Sequence, residues 1–187
     1  MLVRRLLAAT VVVPLLLVAG CSDEEPEPVM PTTSSPTTSP SSTPTVDPLA
    51  IPAEAKEPTK AGAEALIRHF WDMVAHLRET GDPRPARLAY SDSCTYCDGG
   101  VQYFLATLKQ GHTFTGKSDS VASVKADIVG DSGTIAYAEV VTRSYPHDEL
   151  DDSGNLVNRF PGAKVTMGYF LAFENQAWTI TNVGEPE

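Results

Sequence analysis

The sequence is short of cysteine, of positive charge and of any apolar run long enough to cross a membrane. Its three cysteines, Cys21, Cys94 and Cys97, include a single closely spaced pair. With no second Cys or His pair at ligand spacing, this pattern argues against a structural zinc centre. Lys and Arg total 14 against 24 Asp and Glu, a formal charge of −10. Such an acidic chain repels nucleic acid and anionic lipid headgroups alike, so nucleic acid is not an expected partner. The run from Leu6 to Val18 is interrupted by Pro14 and falls short of the about 20 apolar residues that a membrane helix needs. Aromatic residues are missing from the whole stretch 22–58, which therefore has little from which to build a core. No catalytic or cofactor-binding motif stands out, and no cofactor or metal is expected.

What is present begins at the amino terminus. Arg4 and Arg5 precede the apolar run, and the pair of features makes a secretory signal. Arg4-Arg5 raises twin-arginine export, but Val3 and Leu6 match that signal poorly and the general secretory route is favoured. The run ends in Leu16-Leu17-Val18-Ala19-Gly20-Cys21, which resembles the lipobox of bacterial lipoproteins. The resemblance implies removal of residues 1–20, acylation of Cys21 and a lipid anchor on the extracytoplasmic face of the cell membrane; multiple acyl chains hold where one is marginal. A plain secreted protein cleaved after Gly20 is the alternative, and it leaves an odd thiol without gain. Cleavage leaves 167 residues and, with Arg4 and Arg5 gone, a formal charge of −12.

Between Ser22 and Pro58 stand nine prolines among Thr, Ser and Glu. Such a stretch does not offset its ordering entropy, so 21–57 reads as a disordered linker with polyproline character. It would span roughly 35 Å as a flexible coil and roughly 115 Å fully extended. The part from Thr32 to Thr45 has the composition of an O-glycosylated stalk.

The domain is expected over 58–187. Thr59 suits a helix N-cap, and Ala63, Leu66, Ile67, Phe70, Trp71, Val74 and Leu77 recur at the spacing of one apolar stripe. Glu64, Arg68, Asp72 and Glu79 fall on the wet side. Gly81-Asp82-Pro83 stops the helix, and Pro85 to Tyr90 gives a short turn. A third helix is expected from about Cys94 to Gln110, burying Val101, Phe104, Leu105 and Leu108, with Gly111 as its cap. The period then changes to two: a short strand at 112–115, then Val124, Ala126 and Ile128 alternating up to the turn 130–133, a strand from Thr134 to about Arg143, another from Lys164 to Glu174, a turn at Asn175-Gln176 and a last strand to Val183. Helices first and antiparallel strands later make an α+β domain, with three helices on the concave face of a curved antiparallel sheet.

The long helix with Phe70-Trp71, then Thr80-Gly81-Asp82, then Leu88 and Ser91-Asp92 ahead of a second long helix and a strand meander resembles the nuclear-transport-factor-like (cystatin-like) fold, which includes ketosteroid isomerases and polyketide cyclases. With the lipobox, the linker and Cys94-Thr95-Tyr96-Cys97 at a helix start, the chain is more narrowly similar to an uncharacterised family of actinobacterial lipoproteins. The resemblance covers about Pro58 to Val183. It implies a conical half-barrel able to hold a cavity, and no activity to carry over.

Cys94 and Cys97 carry the one local motif with chemistry. Outside the cytoplasm a disulfide is the default, and with Cys21 lipidated the count is even. Ser91-Asp92-Ser93 is expected to cap the helix start, where amides and dipole lower a thiol's pKa, so a redox-active pair is weighed too. No parallel βαβ pattern surrounds it, and a structural bridge is the favoured state. His69 and His76 stand two helical turns, roughly 10 Å, apart, too far for one metal ion, and read as surface or boundary residues. The acidic run Asp148 to Asn155 invites calcium but fails the loop pattern, with Glu149 and Ser153 at ligand positions and Phe160 where a bidentate acid belongs. It reads as a solvated hairpin loop.

An enzyme of this fold would need a carboxylate among apolar groups in the cavity. Glu139 is the candidate, on a strand face with Ile135, Tyr137 and Val141 whose burial would raise its pKa. The opposite face, Ala136, Ala138 and Val140, is equally fit to be core, and that places Glu139 in water, the favoured reading. Trp71, Tyr103, Tyr169 and Trp178 read as core rather than ligand platform. The sequence thus favours a lipid-anchored, non-catalytic binding or scaffold module of the cell envelope, with an envelope protein or apolar small molecule as its partner. The alternative is a small isomerase or dehydratase using Glu139.

Overall fold

Thr59 starts the first long helix as expected: its hydroxyl accepts from the Gly62 N–H at 3.0 Å, meeting one of the amides that a helix start leaves unpaired. The computed structural model describes residues 47–186. Helix α1 spans Lys60–Thr80 and ends on Gly81, whose φ of 77° closes it in the left-handed region. Helix α2 (Arg84–Arg87) is one turn, and α3 covers Thr95–Lys109. The strands follow as β1 (Thr113–Phe114), β2 (Ser120–Val129), β3 (Ile135–Ser144), β4 (His147–Leu150), β5 (Leu156–Phe160), β6 (Ala163–Glu174) and β7 (Ala177–Gly184). The class is α+β. No helix among the described residues is long and apolar enough to cross a membrane.

The strands form two antiparallel sheets where one was expected: a large one, ordered β2-β3-β6-β7, and a small one, ordered β1-β4-β5. The segment after β3, expected as a loop, supplies the β4–β5 hairpin, and β1 completes that sheet by pairing with β4. Asn175 and Gln176 join β6 to β7 with φ of 50° and 65°, the paired left-handed geometry of a two-residue hairpin turn.

Alternation along β3 decides which side of the large sheet is covered. Ala136, Ala138, Val140 and Thr142 are buried, whereas Ile135 and Glu139 are exposed. The covered side joins Ala126, Tyr169, Leu171, Trp178 and Ile180 to Leu66, Ile67 and Phe70 of α1 in one core cluster. Each large apolar side chain buried there contributes about 1.5–3 kcal/mol. Glu64, expected on the wet side, is half-buried and accepts the Ala126 N–H at 3.0 Å. Beside it Lys60 pairs with Asp127, so α1 is tied to β2 by charge as well as packing.

The folded unit starts earlier than composition suggests. Residues 53–56 form a 3-10 turn with Ala55 fully buried, and the Trp178 indole N–H donates to the Glu57 carbonyl at 2.8 Å. The linker reading therefore fails for about its last ten residues, because Leu49 and Ile51 find apolar partners that local composition does not show. The proposed signal, Cys21 and most of the linker lie outside the described residues.

Candidate functional site

A cavity of about 580 Å³ opens where α1, α3, the small sheet and the ends of the large-sheet strands meet. From α1 come Phe70, Trp71, Val74, Ala75 and Arg78, and from α3 Tyr96, Cys97, Val101, Tyr103 and Phe104. The small sheet adds His147 and Phe160, the lead into β2 adds Ser118 and Asp119, and the ends of β3 and β6 add Ser144 and Ala163. The volume is that of an ordinary small-molecule site. Its walls are largely apolar.

The walls are held by specific contacts. Trp71, expected as core, faces the cavity, and its indole N–H donates to the Tyr169 hydroxyl at 3.2 Å. Burial raises the pKa of that hydroxyl, against the smaller opposing effect of the Trp71 bond. Tyr169 and Trp178 are core as expected, but Tyr103 is 43 % exposed at the cavity wall. The His147 ring stacks on Phe160 with centroids 4.6 Å apart, and its Nδ1–H donates to the Tyr145 carbonyl at 2.9 Å.

The polar groups gather at one end. Arg78 is 9 % exposed and donates to the carbonyls of Thr115, Gly116 and Lys117 while its guanidinium lies over the Phe114 ring. Burial pulls its pKa down, countered by the charges of Asp119 and Glu79. Asp119 Oδ2 accepts from the Ser144 hydroxyl at 2.9 Å, whereas Asp119 Oδ1 is buried with no hydrogen-bond partner.

A second polar cluster lies beside the cavity. Glu149 of β4, expected in a solvated loop, is 4 % exposed and gathers His112 Nδ1 at 2.7 Å, Asn158 Nδ2 at 3.1 Å and the Tyr103 hydroxyl at 3.3 Å. The His112 bond is the largest influence holding its pKa below the ordinary carboxylate value. The calcium-like spacing thus dissolves: Glu149 turns inward to His112, Asn158 and Tyr103, while Asp151 accepts from Ser153 and Asn155 within its own turn. No cluster of three metal-ligating side chains occurs among the described residues.

Cys94 and Cys97 form a disulfide at the start of α3, and Cys97 belongs to the cavity wall. The helix cap is not the expected serine cluster: Cys94 Sγ accepts the Cys97 N–H at 3.3 Å, and Ser93 instead donates to the Thr181 carbonyl at 2.9 Å. Glu139 is exposed on the sheet face away from α1 and takes no part in the cavity. His69, expected at the surface or its boundary, is 8 % exposed, with Nε2 unpartnered and its pKa lowered by burial. His76 is half-buried.

Sequence reasoning misses Arg78, Asp119, Ser144 and His147 as functional residues, and it meets Glu149 only as a position in the calcium-like run. One signal was available for Arg78. It follows Trp71 and Val74 by seven and four residues, so it places a charge on the apolar stripe.

The chain belongs to the family of unknown function DUF6318, whose model matches residues 47–184. No curated protein matches it in sequence. Among solved structures it is similar to the intermembrane space region of the chloroplast protein ARC6, at 16% identity over 67% of this chain and 95% of that one, with a TM-score of 0.48. It is also similar to a protein from Kribbella flavida, at 12% identity over 65% and 88% of the two chains and a TM-score of 0.44. A third is an uncharacterised protein with a cystatin-like fold from Caulobacter vibrioides, at 12% identity over 65% and 86%, with a TM-score of 0.41.

Proposed function

We propose that this member of a family without assigned function is a non-catalytic binding module of the cell envelope, tethered by lipid at Cys21 and taking a small, mainly apolar molecule in the cavity between α1 and α3. The observation that carries the reading is the cavity itself. About 580 Å³ of space is walled by Phe70, Trp71, Val74, Val101, Phe104 and Phe160, with polar groups gathered at one end. Apolar walls with a few convergent polar groups are the usual make-up of a small-molecule site. The isomerase or dehydratase reading rested on Glu139, which is exposed and outside the cavity, so that reading loses its base.

Titration with N-phenylnaphthylamine, a neutral apolar fluorophore, tests the cavity. Saturable binding to the wild type and its loss in Ala75→Trp, with unchanged circular dichroism, support the module. Absence of saturable binding, or equal binding by the filled variant, overturns it. Detergent phase partition tests the tether: the wild type follows the detergent and Cys21→Ser the aqueous phase, whereas equal partition of both removes the lipid anchor.

A further inference from the structure

The polar end of the cavity states what kind of head group the ligand carries. This step rests on the cavity reading above and narrows it. Three side chains decide it: Arg78, Asp119 and Ser144.

Arg78 is the one cation among them, and it is already engaged. Its two terminal nitrogens point to the carbonyls of Thr115, Gly116 and Lys117, and its planar face covers Phe114. Those bonds hold the segment between β1 and β2 in place, so turning the fork toward an anion would strip carbonyls of their donors. Asp119 is in the opposite position. Ser144 serves one carboxylate oxygen, while the other is buried with no donor facing it. A desolvated carboxylate oxygen without a partner is a costly state, and a ligand donor relieves it. The terminal torsion of an aspartate is broad and two-fold, so a small rotation turns an oxygen of Asp119 into the cavity whose wall it forms.

We infer that the cavity recognises an amphiphile whose head is a hydrogen-bond donor, a hydroxyl or an ammonium group, received by the Asp119 carboxylate while the apolar body lies among Trp71, Val74 and Phe104. A carboxylate head is disfavoured, because it brings a second anion to Asp119 and finds Arg78 occupied.

Decanol, decylamine and decanoate share one chain and differ in the head, and calorimetry of the full chain with each tests the inference. Decanol and decylammonium are expected to bind about tenfold or more tighter than decanoate, the scale of one hydrogen bond to a charged group. Asp119→Asn is expected to abolish the preference for decylammonium while N-phenylnaphthylamine still binds. Ser144→Ala serves as a second variant should Asp119→Asn fail to fold: it leaves both oxygens of the carboxylate without a donor and is expected to strengthen the preference for the donor heads over decanoate. Equal or tighter binding of decanoate, or a preference unchanged in both variants, overturns the donor-head assignment and leaves the cavity reading standing. Failure of all three amphiphiles and of the apolar fluorophore overturns both.

Discussion

Glu149 Oε1 and His112 Nδ1 lie 2.7 Å apart, with side chains 6% and 17% exposed respectively. The contact joins the central strand of the small sheet to the turn that follows α3. The same carboxylate also receives Tyr103 and Asn158, so one buried acid gathers three separate segments.

That arrangement gives the domain an acid-sensitive point. The folded-state pKa of Glu149 lies below the ordinary glutamate value of 4.5, held down first by the His112 hydrogen bond, so the unfolded chain takes up the proton first as pH falls. The carboxylate's contribution is full above the unfolded pKa and is lost as pH drops through the folded one. Urea denaturation from pH 7 to pH 3 is expected to show stability falling below about pH 4.5. Glu149→Gln should cost about 1–3 kcal/mol at neutral pH and flatten the decline. An identical acid slope in the variant would place the sensitivity elsewhere.

Arg78 is expected to be irreplaceable by lysine. One ammonium does not span the three carbonyls that the guanidinium serves or lie flat on Phe114. Arg78→Lys should therefore lose most of what Arg78→Ala loses, about 1–3 kcal/mol of unfolding free energy. Full rescue by lysine in chemical denaturation would show that only the charge matters.

Two glycines in helices should respond to alanine with opposite signs. A Cβ on Gly62 would meet the Glu57 carbonyl at 2.3 Å and the Glu54 carbonyl at 2.7 Å. The resulting backbone shift, typically about 1–3 kcal/mol for overpacking, exceeds the gain in helix propensity. Gly99 of α3 has nothing within 4 Å of that position, so Gly99→Ala should stabilise by about 0.5–1 kcal/mol. Thermal melts read both signs, and a stabilised Gly62→Ala would contradict the packing of the 3-10 turn on α1.

Opening the Cys94–Cys97 bridge is expected to loosen the start of α3 without unfolding the domain. The two Cα atoms are 5.3 Å apart and three positions apart in sequence. Closing so short a loop contributes less than the ~3 kcal/mol of a 15-residue loop. Treatment with a phosphine reductant should lower the melting temperature modestly and keep the far-ultraviolet circular dichroism. Loss of the cooperative melt on reduction would make the bridge a condition of folding.

Periodicity made most elements legible. Thr59 and Gly81 mark the ends of α1, and the stripe through Leu66, Ile67 and Phe70 marks its buried face. The turn at Asn175-Gln176 and the alternation through Tyr169 and Leu171 placed β6 and β7. The small sheet escaped because its strands are short and rich in charge: His147–Leu150 contains two acids, and its pairing with β1 joins residues more than thirty positions apart. The site escaped for the same reason. Asp119 immediately precedes β2 and Ser144 ends β3, and the two meet only after those strands have paired.

By itself the sequence determined the α+β class, the helix ends and the strand alternation, because caps and periods act between residues close along the chain. It left open which face of β3 is covered, since Ile135, Tyr137 and Val141 are as apolar as Ala136, Ala138 and Val140. Tertiary packing decided that: α1 lies on the alanine face and leaves Glu139 in water. It also turned Trp71 into a cavity wall and Glu149 into a buried tie. Burial depends on what lies across from a residue, and in a fold of two sheets that neighbour comes from far along the chain.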